Sequence, residues 1–154
     1  MTGKSPRKIT SVDELLAVAH LNSIQHYEVS GRRFDGFERS DRTDRDLPKE
    51  GLAQVRLMQF FDGKVLAARA RAEVHAEEGV LVADVAAFFQ ASEKLTVSPE
   101  IIAAFAKRVA SPILRPYLRE AVQSIAVKLG MDEVPLLAPL DHAGEEVLTL
   151  GPAT

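Results

Sequence analysis

Hydrophobic and polar residues alternate with period two along residues 65–76, which is the spacing of a β-strand. One face of this segment is apolar and the other is polar, as in an antiparallel sheet that is covered on a single side. The apolar face carries Leu66, Ala68, Ala70, Ala72, Val74 and Ala76, and the polar face carries Arg69, Arg71, Glu73 and His75.

Three further strands are predicted, over residues 24–30, 54–61 and 80–91. Asp62 and Gly63 separate the second of these from the strand at 65–76, and this dipeptide favours a tight hairpin. The strand at 80–91 has one wholly apolar face, and its other face is apolar except for Asp84 and Gln90. The pattern therefore predicts an antiparallel hairpin followed by a largely buried strand.

Helical spacing of apolar residues appears before and after the strands. Ser11 and Glu14 form a capping box that predicts a first helix over residues 12–21. Ser98 and Pro99 start a second helix, which we expect to be interrupted at residues 111–112. A third helix is predicted over 113–129. Pro116 falls in its first turn, where proline is tolerated, and Gly130 is expected to end the helix in a left-handed conformation. The tail at 142–150 is amphipathic and compatible with a short helix.

This element order predicts an α+β fold, in which helices cover one face of a four-stranded antiparallel sheet. We expect a disordered N-terminus at residues 1–10, a single domain at 11–150 and a tail at 151–154. Residues 31–50 lose all periodicity and are densely charged. A loop this long within a domain is either functional or disordered.

Composition narrows the classes of function. The chain has 154 residues, 46% of them hydrophobic and 27% charged, which fits one globular domain. The absence of cysteine excludes disulfides and thiolate metal sites. Neither a secretory signal nor a run of apolar residues long enough for a membrane span is visible. Because neither is visible, we expect a cytoplasmic protein without membrane insertion. The net charge of −3 argues against nucleic acid as the main partner.

Catalytic and metal-binding motifs are not apparent. The four histidines lie outside any ligand spacing, and the chain has no phosphate-binding glycine loop and no nucleophile elbow. We therefore expect no enzyme activity, no cofactor and no metal. The alternative is a small-molecule-binding protein or enzyme whose polar site is formed by Arg69, Arg71, Glu73 and His75.

Two short motifs carry a family resemblance. Residues 114–120 read Leu-Arg-Pro-Tyr-Leu-Arg-Glu, and residues 135–140 read Pro-Leu-Leu-Ala-Pro-Leu. The first resembles the L-F-P-Y-A-R-E segment that opens the long helix of SecB-type export chaperones, and the second resembles their L-A-P-V loop. The resemblance extends over residues 52–148. It implies an ATP-independent holding chaperone for unfolded polypeptides, either preproteins for export or a dedicated antitoxin.

The resemblance also implies where clients bind. In this family, a groove lies between the crossover loop after the first strand and the loop after the long helix. The corresponding segments here are residues 31–50 and 131–140. The client-binding residues that the resemblance implies are Phe34, Phe37, Leu47, Val134, Leu136, Leu137 and Leu140.

The resemblance also bears on SecA, on toxin and antitoxin pairs and on self-association. Asp84 matches an acid of the surface on which the SecA motor docks, but nearby arginines make the local charge mixed, so we expect weak SecA binding. The predicted N-terminal helix suits divergent SecB-like proteins that serve toxin and antitoxin pairs. Small residues on the helical face predict a dimer or tetramer, with Ala103, Ala121 and Ile125 as interface candidates.

Overall fold

A β-sheet with helices on one face forms the molecule. The computed structural model describes residues 3–34, 52–76, 78–131 and 146–149. In chain order the elements are β1 (Arg7–Lys8), α1 (Val12–Val18), β2 (Ala19–Arg33), β3 (Leu52–Phe61), β4 (Val65–Ala76), β5 (Gly79–Ala91), β6 (Leu95–Thr96), α2 (Pro99–Phe105), a π-helical turn (Ala106–Ala110), α3 (Ser111–Lys128) and β7 (Glu146–Thr149).

The main sheet has the strand order β2-β5-β4-β3-β7. The first four strands are antiparallel neighbours, which confirms the predicted four-stranded antiparallel sheet and the α+β class. The fifth strand, β7, pairs with β3 in parallel. Residues 146–149 are thus a strand, and the prediction that the tail suits a helix is wrong there, because pairing with β3 fixes an extended conformation.

The core lies between one face of the sheet and the helices. Along β4 every second residue from Leu66 to Ala76 is buried, as the alternation predicted, and the same holds for the matching face of β5. Phe89 of β5 meets Phe105 of α2 edge to face at 5.0 Å between ring centroids, and both rings are buried. Aromatic pairs in this arrangement contribute beyond their buried area.

The helical layer is continuous instead of interrupted. Ser98 caps α2 by accepting from the Ile101 N–H, as predicted. At the expected break, the Ser111 N–H donates to the carbonyl of Ala106, five residues back, and α3 follows directly. Pro116 therefore lies inside α3 and not in its first turn. Burial of one face of α3 on the sheet offsets the backbone hydrogen bonds that the prolines remove.

The N-terminal elements differ from the predicted bounds. β1 pairs in parallel with β6, and Ile9 is buried, so regular structure begins at Arg7 and not at Ser11. Ser11 and Glu14 cap α1 as predicted, but α1 ends at Val18 and β2 begins at Ala19. Pairing with β5 extends β2 to 15 residues with two bulges and overrides the helical spacing of residues 19–21.

Truncation of the buried aromatic pair should test this core. We expect Phe105→Ala to lower the free energy of unfolding by about 3–5 kcal/mol, because it removes a fully buried ring and leaves a cavity against Phe89. Val127→Ala is the matched control, since Val127 is 73% exposed on α3 and should change stability by less than about 0.5 kcal/mol. Urea unfolding followed by circular dichroism measures both. Equal losses would place the core elsewhere.

Candidate functional site

The two segments predicted to bind clients begin at neighbouring points of the structure. The Arg33 Nη1 at the end of β2 donates to the carbonyls of Leu129 and Gly130, at 2.9 Å and 3.2 Å. Residues 31–33 of the predicted segment at 31–50 belong to β2 and not to a loop, because they pair with β5, and Gly130 directly precedes the segment at 131–140. We call the contact region formed by Gly31, Arg33, Phe34, Leu129 and Gly130 the loop junction.

A glycine allows β2 and α3 to approach at the loop junction. A Cβ at Gly31 would lie 2.3 Å from the Ile125 Cγ2 and 2.8 Å from the Leu81 Cδ2, so those side chains would have to shift to accommodate it. Close approach of this kind is a recurrent reason for glycine in a strand. Because residue 31 has no side chain, the C-terminal half of α3 packs directly over β2.

Arg33 also terminates α3. Gly130 has a φ of +65°, the left-handed conformation that commonly follows a helix, as its position in the sequence predicted. The last carbonyls of a helix have no intrahelical partner and carry partial negative charge. The Arg33 guanidinium donates to the carbonyl of Leu129, the C-cap residue, and to that of Gly130 just beyond the helix, and it places a positive charge where the helix dipole favours it.

Backbone hydrogen bonds hold both sides of the loop junction. The Phe34 N–H donates to the carbonyl of Glu78 at 2.9 Å, and the Met131 N–H donates to the carbonyl of Ala126 at 2.9 Å. Phe34 is half-buried there. The other predicted client-binding residues lie outside the described residues, namely Phe37, Leu47, Val134, Leu136, Leu137 and Leu140. The structure thus describes where both segments begin.

Asp84 does not present a free carboxylate on the outer sheet face. Its side chain is 1% exposed, although it points away from the helices. Arg69 donates to both carboxylate oxygens, from Nε at 2.7 Å and from Nη2 at 2.8 Å, and Arg71 adds a contact at 3.3 Å. A carboxylate held by a bidentate arginine is already neutralised. This burial does not fit direct contact with a docking partner, which was the role expected of Asp84.

The polar side chains around Asp84 satisfy one another. Arg71 donates from Nη1 to Glu28 and from Nε to the Glu73 Oε1, the latter at 3.2 Å. The hydrogen bond from Arg71 lowers the pKa of Glu28, and its carboxylate partners raise the pKa of Arg71. The Arg69 guanidinium also lies 4.1 Å from the centroid of the Tyr27 ring, a cation–π distance. These contacts stabilise the ionised forms of Asp84 and Glu28 on the outer face of the sheet.

The alternative polar site is built from these same groups. Arg69, Arg71 and Glu73 contact protein partners, and the His75 Nε2 lies 3.7 Å from the Glu73 Oε2. Within the described residues, His, Asp and Glu side chains form no cluster of three that could hold a metal ion. No helix in that part of the chain is both long and apolar enough to cross a bilayer.

The predicted interface residues are buried to different degrees. Ala121 is 2% exposed in the core of its own subunit, so the intrachain packing of α3 on the sheet accounts for its burial and it offers no surface to a second chain. Ala103 and Ile125 are half-buried, and Ile125 packs on the core near Gly31.

A surface that the sequence did not reveal lies along β2. Leu21 and Val29 are 46% and 41% exposed on the helix-facing side of this strand, and His26 lies between them on the same side, next to Tyr117 of α3, which is 40% exposed. The Tyr117 ring contacts the His26 ring edge to face at 6.2 Å. Leu21 was assigned to the first helix in the sequence analysis, so the row of apolar side chains was not recognisable before β2 was seen to begin at Ala19.

Comparison with known proteins identifies a relative in sequence and a solved structure of the same fold. No protein-family model matches the chain. A curated relative, the SecB-like chaperone SmegB of Mycolicibacterium smegmatis, is 31% identical over 138 residues, covering 90% of this chain and 86% of the relative.

A solved structure shares the fold. It is the Mycobacterium tuberculosis Rv1957 SecB-like chaperone in complex with a ChAD peptide from the Rv1956 HigA1 antitoxin, with a TM-score of 0.58 and 17% identity, covering 80% of this chain and 89% of that one. At this identity the likeness shows the fold alone, whereas the relative from Mycolicibacterium smegmatis shows the family. The chain belongs to the SecB-like chaperone family.

Proposed function

We propose that this SecB-like chaperone holds an unfolded segment of an antitoxin against the surface formed by residues 31–50 and 131–140. The observation that supports the proposal is the pair of hydrogen bonds from Arg33 to Leu129 and Gly130, which joins the described residues at which the two segments begin. Family membership supports the holding role. The antitoxin peptide bound to the structural neighbour from Mycobacterium tuberculosis supports the class of client.

Holding needs no chemical step. A client that buries ~400 Å² of apolar surface gains on the order of 10 kcal/mol gross, most of it offset by the entropy of ordering the client. Each site then binds weakly and reversibly, which suits release of the client without ATP. We infer a cytoplasmic chaperone without catalytic activity.

General export is the second candidate, and the outer sheet face argues against it. A motor that recognises acidic side chains needs them free, whereas Asp84 and Glu28 are neutralised by Arg69 and Arg71. Charge-driven docking weakens further as salt screens the remaining groups. We therefore favour a dedicated client over preproteins that are passed to SecA.

We also propose that two or more copies assemble through β2. This 15-residue strand stands at the edge of the sheet, with β5 as its neighbour on one side. Long edge strands invite pairing with another chain unless they are covered. Leu21, Val29 and Tyr117 add exposed apolar surface on the side that faces the helices. Several weak client sites in one assembly would retain a client longer by raising its effective concentration.

The client surface can be tested by charge substitution in the second segment. We expect the double variant Leu136→Asp and Leu137→Asp to lose suppression of aggregation, because each carboxylate must be desolvated when a client binds. Thermal stability should change little. Light scattering of a protein diluted from urea, and of an aggregation-prone antitoxin, measures the holding activity.

The matched control introduces the same charges elsewhere. Leu16→Asp with Ala17→Asp alters two adjacent exposed side chains on α1, outside both proposed segments. This control should retain holding activity. Equal activity in both double variants would place the client site outside residues 131–140.

The loop junction makes its own prediction. Arg33→Met keeps the aliphatic stem but leaves the carbonyls of Leu129 and Gly130 without their charged donor. We expect an increase in the client Kd of about tenfold and a loss of stability of about 1–2 kcal/mol. Lys128→Met removes the same charge from the same helix end and should do neither. Fluorescence anisotropy with a labelled antitoxin peptide measures the Kd, and an unchanged value for Arg33→Met would contradict the role of the junction.

Assembly through β2 predicts dissociation by like charge. Leu21→Arg with Val29→Arg should convert the assembly to monomers, because symmetric copies would bring the arginines together or bury them unpaired. Leu16→Arg, on α1, should leave the assembly intact. Native mass spectrometry distinguishes the states. A monomeric unmodified protein would refute the proposal outright, and an intact double variant would move the interface away from β2.

A further inference from the structure

The main sheet ends on one side with the long strand β2 and on the other with the short strand β7, which pairs with β3. At the β3 edge, β7 covers four of the ten strand positions, with Arg56 opposite Glu146 and Gln59 opposite Thr149. The pairing is parallel, whereas every other neighbouring pair in this sheet is antiparallel. Residues 146–149 thus add a fifth, parallel strand to the sheet beside β3.

The pairing of β7 with β3 is weak enough for another strand to displace β7. Parallel ladders are slightly less stable per residue than antiparallel ones, and a four-residue strand forms few hydrogen bonds. Within the part of the chain that the structure describes, β7 is the terminal strand of the sheet and pairs along one side. Among the described residues, positions 52–55 and 60–61 of β3 lie outside the β7 register, on both sides of the paired stretch.

The β3 edge also lies within reach of the loop junction. Leu52 at the start of β3 pairs with His75, and Arg33 at the end of β2 pairs with Gly79, so both lie at the same end of the sheet. Three strand spacings separate β2 from β3 in the order β2-β5-β4-β3, which is roughly 14 Å. An extended polypeptide crosses that distance with about five residues.

We propose that β3 binds an extended client segment by strand addition, and that β7 is a resident competitor for the same edge. The inference rests on the proposed holding function and specifies how part of the client is held. Main-chain hydrogen bonds recognise any extended polypeptide with little regard to sequence. On the outer side of the edge, Arg56 is exposed and Met58 is half-buried, which gives a mixed surface for client side chains. Without a client, β7 covers the edge and limits its pairing with other chains.

Release of β7 should raise client affinity. In a parallel strand alternate N–H groups face the partner, so the double variant Val147→Pro and Leu148→Pro removes the donating group whichever residue carries it. We expect a decrease of at least about threefold in the apparent Kd for a fluorescein-labelled, reduced and carboxymethylated unfolded protein, because the competitor no longer occupies the site. Ala153→Pro, outside β7, should leave the Kd unchanged.

Hydrogen exchange on the unmodified protein gives a second and independent readout. Addition of the same unfolded protein should increase amide exchange in residues 146–149 while β3 stays protected. If the unmodified protein binds the probe but exchange at 146–149 stays constant and the proline variant binds no more tightly, the inference is wrong and the holding function stands. If the unmodified protein binds neither this probe nor an antitoxin peptide, the proposed function itself fails.

Discussion

The close packing of α3 on β2 determines where the rest of the molecule can act. Ile125 of α3 packs against the backbone of Gly31, where a Cβ would overlap it. Hydrogen bonds from Arg33 then connect the end of β2 to the end of α3. Those two ends are also where residues 35–50 and 132–140 begin, so one local contact fixes the starting points of both segments. The client surface that we propose between these segments would therefore depend on the contact of Arg33 with the end of α3.

Parts of this arrangement can be predicted from sequence because they depend on local order. The alternation in residues 65–76 specifies β4, and Ser98 with Pro99 specifies the start of α2, without reference to distant residues. The extent of β2 could not be predicted, because residues 19–21 suit a helix and a strand equally until β5 is placed beside them. The Arg33 contact joins residues 96 positions apart, so no local pattern reveals it.

The candidate site shows the same division. The resemblance to SecB-type proteins predicts the two segments, and it matches Asp84 to an acid of a docking surface because it compares residue types and not their partners. The register of the β4–β5 hairpin contains the missing information, since Arg71 lies directly opposite Asp84 and Arg69 is two residues away on the same face. Cross-strand partners of that kind neutralise an acid that looks exposed in the sequence. Side-chain pairing must therefore be worked out before a charged residue is assigned to an interface.

The π-helical turn at Ala106–Ala110 has a consequence for insertions and deletions. Buried residues recur at intervals of four from Ala106 through Ala110 and Leu114 to Leu118, and in a regular helix each interval overshoots a full turn by about 40°. The wider turn takes up part of this rotation and keeps both halves of the helical layer on the sheet. A relative with a regular helix here must be one residue shorter or bury a different face. Residues 106–110 are thus where the evolutionary record of this helix should contain a single-residue gap.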